Sequence, residues 1–401
     1  MVLDRILAYN QHRDPRWVTR KYAALTEDPF RFFRGTCRLF YEDLRRYADW
    51  DDPTRCWITG DLHLENFGTY RGSDDIVYFD LNDFDEARLA PASWELARLL
   101  TSIYLGAEAL SLPPSEANRL SRFTVDTYMA VLRQGKPWVI EKETATGLLR
   151  DFIRQVRDRK ESRFVRERVR RSRERLRTDE TRTFRLKKDQ RKPLRSDIQT
   201  ALNQDHTLRS MEVLDVAWRL AGTGSVGLKR YVVLVREEGR FRLVDLKEAV
   251  LSSLENLTTV PQPVWADPAG RITAVQEYVQ HKSPALLRPL RVGGTDYVMK
   301  ELQPSQDRMD LRACKGNFRR LQDIIGSMAR LAASGILRSG GRNGSSITDE
   351  LIAFGEKKQE KSLLHFARES AERTRAQYHE YVREYQARHQ FLVSGTQVDL
   401  G

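Results

Sequence analysis

Two short apolar runs, RCWITG and DIVYFDL, each lead into a loop rich in carboxylates. The first loop lies in TGDLHLENFG, residues 59–68, with Asp61 and Asn66 separated by four residues that include His63. The second is NDFDEA, residues 82–87, with Asp83 and Asp85. β-Branched and aromatic residues between turn formers predict a strand at each run. The chain is therefore expected to bring two polar loops off neighbouring strands, an arrangement suited to gathering oxygen ligands at one place.

Phosphoryl transfer uses such an arrangement. It needs a carboxylate to orient the attacking hydroxyl and metal ions to neutralise phosphate oxygens. Mg²⁺ takes hard oxygen donors, often one or two carboxylates together with the substrate's phosphates. On spacing, Asp61 is the candidate catalytic base, and Asn66 and Asp83 are the candidate metal ligands. Asp80 and Asp85 compete with Asp83. The competing bland reading is a polar hairpin turn, since a D-x4-N pair also arises by chance. A two-metal phosphoesterase is a rival chemistry, but it wants several histidine ligands, and the chain has seven histidines without a cluster.

A second motif lies downstream. GTGSVG places Gly222, Gly224 and Gly227 in G-x-G-x-x-G spacing, and Lys247 stands in LVDLKEA twenty residues beyond Gly227. A dinucleotide fold needs a helix after the glycines, but LKRYVVLVREE is strand-like. A phosphate-binding P-loop needs Gly-Lys-Ser/Thr, but Leu228-Lys229-Arg230 follows Gly227. A glycine loop between antiparallel strands, covering nucleotide phosphates with its backbone N–H groups, fits what surrounds it. Lys247 on the third strand then suits the α and β phosphates. The bland alternative is a solvated lysine on an edge strand.

The rest of the pattern is coarser. Residues 12–50, 90–175 and most of 317–390 carry helical periodicity. Residues 211–305 read as strands with one helix, RITAVQEYVQHKS, and a hairpin turning at Gly293-Gly294. The class is α+β. With 401 residues, 40% hydrophobic and 9% aromatic, a substantial core is expected. Three scattered cysteines support neither a disulfide framework nor a cysteine zinc site. With no signal-peptide pattern and no long apolar run, a cytoplasmic protein without membrane partners is expected. The net charge of +12 concentrates in residues 163–195, where fifteen Lys or Arg face five Asp or Glu. Nucleic acid, an acidic partner and a membrane surface are the candidate partners for that stretch. A solvated helix and linker is the favoured reading, because charge runs usually face water and few aromatics accompany this one. LRSGGRNGSSITDEL, with Arg338, Arg342 and capping candidates Ser346 and Thr348, is a further phosphate-loop candidate; the alternative is a flexible connection with incidental charge.

GDLHLENFG followed by FDLNDFDEA…WELARLL resembles the catalytic and metal loops of the aminoglycoside phosphotransferase branch of the protein-kinase-like fold. Over most of its length the chain resembles an uncharacterised bacterial group, domain of unknown function family 2252. The resemblance implies Asp61 as catalytic Asp, Asn66 and Asp83 as metal ligands, and His63 as a loop brace beside Asp61. Glu95 falls where that branch often has an Asp buttressing the loop, whereas Thr59 replaces a usual His. It also implies Glu277 as partner of Lys247, KELQPSQD as the adenine-contacting hinge, and ATP with Mg²⁺ as cofactors. The nucleotide part follows the catalytic loop, so a circularly permuted, two-lobed kinase-like fold is expected. Residues 1–205 form a mainly helical large lobe, 206–305 a nucleotide lobe, and 306–401 helices returning to the large lobe. The expected function is an ATP-dependent phosphotransferase acting on an unidentified small-molecule or protein acceptor. AMP transfer and a non-catalytic kinase-like binding module are the alternatives.

Overall fold

The computed structural model describes residues 1–158, 161–170, 172, 174–303 and 309–394. Helices α1 (Val2–Asn10), α2 (Pro15–Ala24), α3 (Pro29–Gly35) and α4 (Cys37–Tyr47) open the chain. The helical stretch expected over 12–50 is thus broken. Asp14 and Asp28 each cap a new helix with a side-chain oxygen, and proline follows each at the first helical position.

Next come β1 (Arg55–Ile58), β2 (Phe67–Arg71), β3 (Val77–Leu81) and β4 (Arg88–Pro91). β1 pairs with β4 and β2 with β3, both antiparallel. Ile58 lies opposite Arg88, and Phe67 opposite Leu81. Loops 59–66 and 82–87 therefore run side by side between two short ladders. The sequence predicts β1 and β3; β2 and β4, of the same five- and four-residue lengths, lack their run of β-branched and aromatic residues.

α5 (Ala92–Gly106), α6 (Pro114–Gln134), α7 (Gly147–Arg157) and α8 (Glu161–Arg168) follow. The basic stretch then folds into β5 (Val169–Arg170), β6 (Arg175–Leu176), β7 (Thr183–Arg185) and the start of α9 (Lys188–Gln204). It is not a plain helix and linker. β8 (Glu212–Arg219), β9 (Arg230–Glu237) and β10 (Arg240–Glu248) precede α10 (Pro268–Val279), β11 (Arg288–Val292) and β12 (Thr295–Glu301). The chain closes with α11 (Phe318–Ser339), α12 (Thr348–Glu356) and α13 (Glu360–Ser394).

One antiparallel sheet runs β11-β12-β10-β9-β8-β7. Its alternation serves two faces. Val233, Val235 and Leu246 pack with Ile198 and Leu202 of α9. Val232, Leu234 and Leu243 pack instead with Phe164 and Val165 of α8, and with Val169 and Leu176. Elements on both sides of the expected boundary at 205 therefore pack on this sheet. Burying apolar side chains on the sheet fixes where the described part of the basic stretch lies, with Arg166, Arg170, Arg175 and Arg177 exposed.

The largest core joins α4, α5, α6, α11 and the first half of α13. Ile272, Val275 and Val279 of α10 enter that same core, so α10 ties the sheet to the helical part. No described helix is long and apolar enough to cross a membrane.

Candidate functional site

Gly60 allows the two polar loops to meet. Its φ is +78°, and a Cβ there would lie 2.3 Å from the carbonyl oxygen of Glu86. Only glycine tolerates both conditions. The Gly60 carbonyl accepts from the Tyr41 hydroxyl at 2.7 Å.

The first loop is held by α5, a helix whose fifteen residues are all buried. Glu95 Oε1 accepts from both the backbone N–H and the hydroxyl of Thr59, each at 2.8 Å. Thr59 therefore provides a pairing for Glu95 where a histidine was anticipated. Burial pushes the Glu95 carboxyl up to about 7. One turn later Arg98, fully buried, donates from Nε to Asp61 Oδ1 at 3.1 Å and also from Nη2. Its guanidinium lies over Phe33, 4.0 Å from the ring centroid. Burial raises the Asp61 carboxyl to about 6, with Arg98 opposing that rise. Asp61 Oδ2 lies 4.0 Å from His63 Nε2.

His63 braces the loop. Its Nδ1 faces the Glu65 backbone N–H at 3.0 Å, its Nε2 faces Arg34 Nε at 3.2 Å, and Phe30 packs edge-on against the ring. Arg34 also pairs with Glu65.

Asn66 bridges the two loops. Its Nδ2 donates to the carbonyls of Asp61 at 3.1 Å and Asp83 at 3.4 Å. Its Oδ1 is buried and accepts no hydrogen bond among the described residues. A buried acceptor left unpaired is costly, and an oxygen beside Asp83 suits a hard cation. The Asp83 side chain is 51% exposed. Among the described residues no group of three His, Cys, Asp or Glu side chains is arranged to hold a metal ion. A cation here would rest on one amide, one carboxylate and ligand oxygens.

Lys247, from the centre of the sheet, meets the second loop. Its Nζ lies 3.4 Å from Asp83 Oδ1 and closer still to Asp85 Oδ2. Burial works against the ammonium, but Asp83 and Asp85 outweigh it and raise its pKa. The loop after β10 adds further ties. Ser252 Oγ donates to the Glu86 carbonyl at 3.0 Å, and Arg88 pairs with Glu255. From α10, Arg271 donates to the carbonyls of Ala87, Asp85 and Val250.

The glycine motif forms the connection between β8 and β9, with Gly222 and Gly227 at positive φ. Arg13 Nη1 donates to the carbonyls of Gly224 at 2.6 Å and Val226 at 2.7 Å. Lys21 Nζ donates to Gly224 at 3.2 Å.

Some expected residues stand elsewhere. Glu277 is exposed, while Arg271, Val275 and Gln276 of the same helix are buried, and Asp83 and Asp85 are the carboxylates at Lys247. Asp80 is withdrawn as a metal ligand, because Arg338 and the Leu81 N–H take its two oxygens. Arg338 is thereby spent, and the Gly341 and Ser346 N–H groups bond to carbonyls of Ser346 and Arg55. At α12 it is Glu350, not Ser346 or Thr348, that caps, accepting from the Ile347 N–H at 3.0 Å. The hinge expected at 300–307 falls partly on 304–307, outside the described residues.

Arg98, Arg13, Lys21 and Arg271 escaped sequence reading. Glu95 and Arg98 had a usable signal: two opposite charges three residues apart in the otherwise apolar WELARLL.

A family model described as "Uncharacterized protein conserved in bacteria (DUF2252)" matches residues 13–384. The chain belongs to this family. The DUF2252 match takes in both polar loops, the glycine motif and Lys247, and its first matched residue is Arg13. No curated protein and no solved structure matches the chain.

Proposed function

We propose that this DUF2252 protein is an ATP- and Mg²⁺-dependent phosphotransferase of circularly permuted kinase-like fold, acting on a hydroxyl-bearing acceptor. The observation that carries this reading is the approach of Lys247, from the sheet that bears the glycine loop, to Asp83 beside the unpaired Oδ1 of Asn66. The chain order of glycine loop, lysine strand, helix and two further strands supports it as well.

Asn66 Oδ1 and Asp83 would hold Mg²⁺, which neutralises charge on phosphate oxygens when bound. Lys247 holds the nucleotide phosphates once they replace Asp83 at its ammonium. Asp61 keeps Oδ1 on Arg98 and presents Oδ2 to the acceptor hydroxyl. As the acceptor oxygen bonds to the terminal phosphorus, the bond from phosphorus to the bridging oxygen of ATP breaks. The hydroxyl proton passes to Asp61, and ADP departs. Arg98 stabilises the ionised Asp61 that must receive this proton.

The test separates chemistry from binding. Asp61→Asn is expected to leave Mg-ATP affinity nearly unchanged while slow ATP hydrolysis falls by roughly 10²–10⁴-fold, as for loss of a general base. Lys247→Ala is expected to weaken both. Abolished ATP binding in Asp61→Asn with intact binding in Lys247→Ala would reverse these roles.

A further inference from the structure

Two cations lie against the glycine loop without a carboxylate. Arg13 is 7% exposed and Lys21 is 1% exposed, and their side-chain hydrogen bonds among the described residues go to neutral oxygens. Lys21 Nζ has Asn10 Oδ1 at 3.1 Å and the Gly224 carbonyl at 3.2 Å. Arg13 uses Nη1 on two loop carbonyls, and its Nε is buried with no partner among the described residues. The Asp14 N–H to Gly227 carbonyl bond, 3.0 Å, pins this N-terminal corner to the loop.

The corner lies beside the first polar loop: a Cβ on Gly224 would stand 3.7 Å from the Arg34 carbonyl, and Arg34 itself reaches His63 and Glu65. Lys21 lies near enough to feel the charges of Asp61 and Glu86, and Arg13 those of Glu86 and Asp85. Burial and their mutual repulsion depress the pKa of Lys21. Buried charges are normally paired, because desolvating them is expensive. Two adjoining cations held mainly by neutral oxygens gain what they lack from an anion.

We propose that Arg13 and Lys21 form a phosphate-binding subsite between the glycine loop and Asp61. Its occupant is either the terminal phosphate of the nucleotide or a phosphate carried by the acceptor. The subsite rests on the phosphotransferase reading only for whose phosphate it receives.

The experiment titrates wild type, Arg13→Gln and Lys21→Met with inorganic tripolyphosphate, Mg-ADP and Mg-ATP by calorimetry, alongside melting curves of the free proteins. Each variant is expected to weaken tripolyphosphate roughly ten-fold or more, the scale of one charge-assisted hydrogen bond. Free Lys21→Met is expected to melt higher than wild type, because it removes an ammonium that burial and the neighbouring Arg13 already disfavour. If the variants weaken Mg-ATP much more than Mg-ADP, the terminal phosphate of the nucleotide is the occupant. If both nucleotides are unaffected while tripolyphosphate is weakened, the acceptor's phosphate is the occupant. Wild type that binds tripolyphosphate but no nucleotide, with binding lost in the variants, keeps the subsite and removes the ATP reading. Tripolyphosphate binding that is missing in wild type, or equal in all three proteins, overturns the subsite. A lower melting point in Lys21→Met would then assign both cations to bracing the loop.

Discussion

Arg98 holds Asp61 by one carboxylate oxygen, leaving Oδ2 4.0 Å from His63. Removing the guanidinium strands a carboxylate that is only 20% exposed. Arg98→Met is expected to lose about 3 kcal/mol of stability, the order found when one partner of a buried pair is deleted. It should also raise the Asp61 pKa above its present value of about 6, since Arg98 opposes the rise that burial causes. The acid limb of ATP hydrolysis should move to higher pH, read from a pH–rate profile. An unmoved limb would show that Asp61 does not set it.

Glu95 gives a separate pH signature. Its folded-state pKa of about 7 stands above its ordinary 4.5. Stability linked to a raised pKa is fully present below the unfolded value and is lost as pH rises through the folded one. Wild type should therefore lose stability relative to Glu95→Gln as pH rises from 4.5 to about 7. Melting curves across that range test this, and a constant difference between the two proteins would contradict it.

Gly60→Ala tests the meeting of the loops. Its positive φ and the 2.3 Å approach to Glu86 leave no room for a methyl group. A loss of about 2–4 kcal/mol is expected from urea unfolding, within the range for strained backbone positions and overpacking. A neutral result would mean that the loops separate without penalty.

The sequence made part of this legible, for physical reasons. Asp61, Asn66 and Asp83 fall in loops that follow readable strands, and pairing of those strands with β2 and β4 aligns the loops. The β8–β10 run and the Gly293-Gly294 hairpin were readable because alternation and turn glycines are local signals. Arg98 carries a signal in the charge pair of WELARLL, but a buried arginine on an apolar helix reveals its partner only after the helix packs. Glu277 misled for the same reason: which face of α10 turns inward is decided by the core that receives Ile272, Val275 and Val279. The cover that residues 164–176 give the sheet was likewise hidden, since a charge run masks its four apolar anchors, Phe164, Val165, Val169 and Leu176.

Replacing Asp85 addresses Lys247. Asp85 is the nearest carboxylate to its Nζ, and Asp83 is farther at 3.4 Å. Asp85→Asn should free the lysine for phosphate, so nucleotide affinity should hold or improve while stability falls by about 1–3 kcal/mol from the weakened buried pair. Calorimetry with Mg-ATP reads the first and urea unfolding the second. Complete loss of binding would instead make Asp85 the metal ligand.

The central claim is that Asp83, Asn66 and Lys247 together form a magnesium–nucleotide site. The most direct measurement is the melting temperature of wild type and Asp83→Ala with ATP, with and without Mg²⁺, since a ligand bound by the folded state alone raises it by mass action. Wild type should shift upward with Mg-ATP and less with ATP alone, and Asp83→Ala should lose most of the Mg²⁺-dependent part. Wild type unmoved by roughly millimolar Mg-ATP, or an Asp83→Ala shift equal to wild type, would contradict the account.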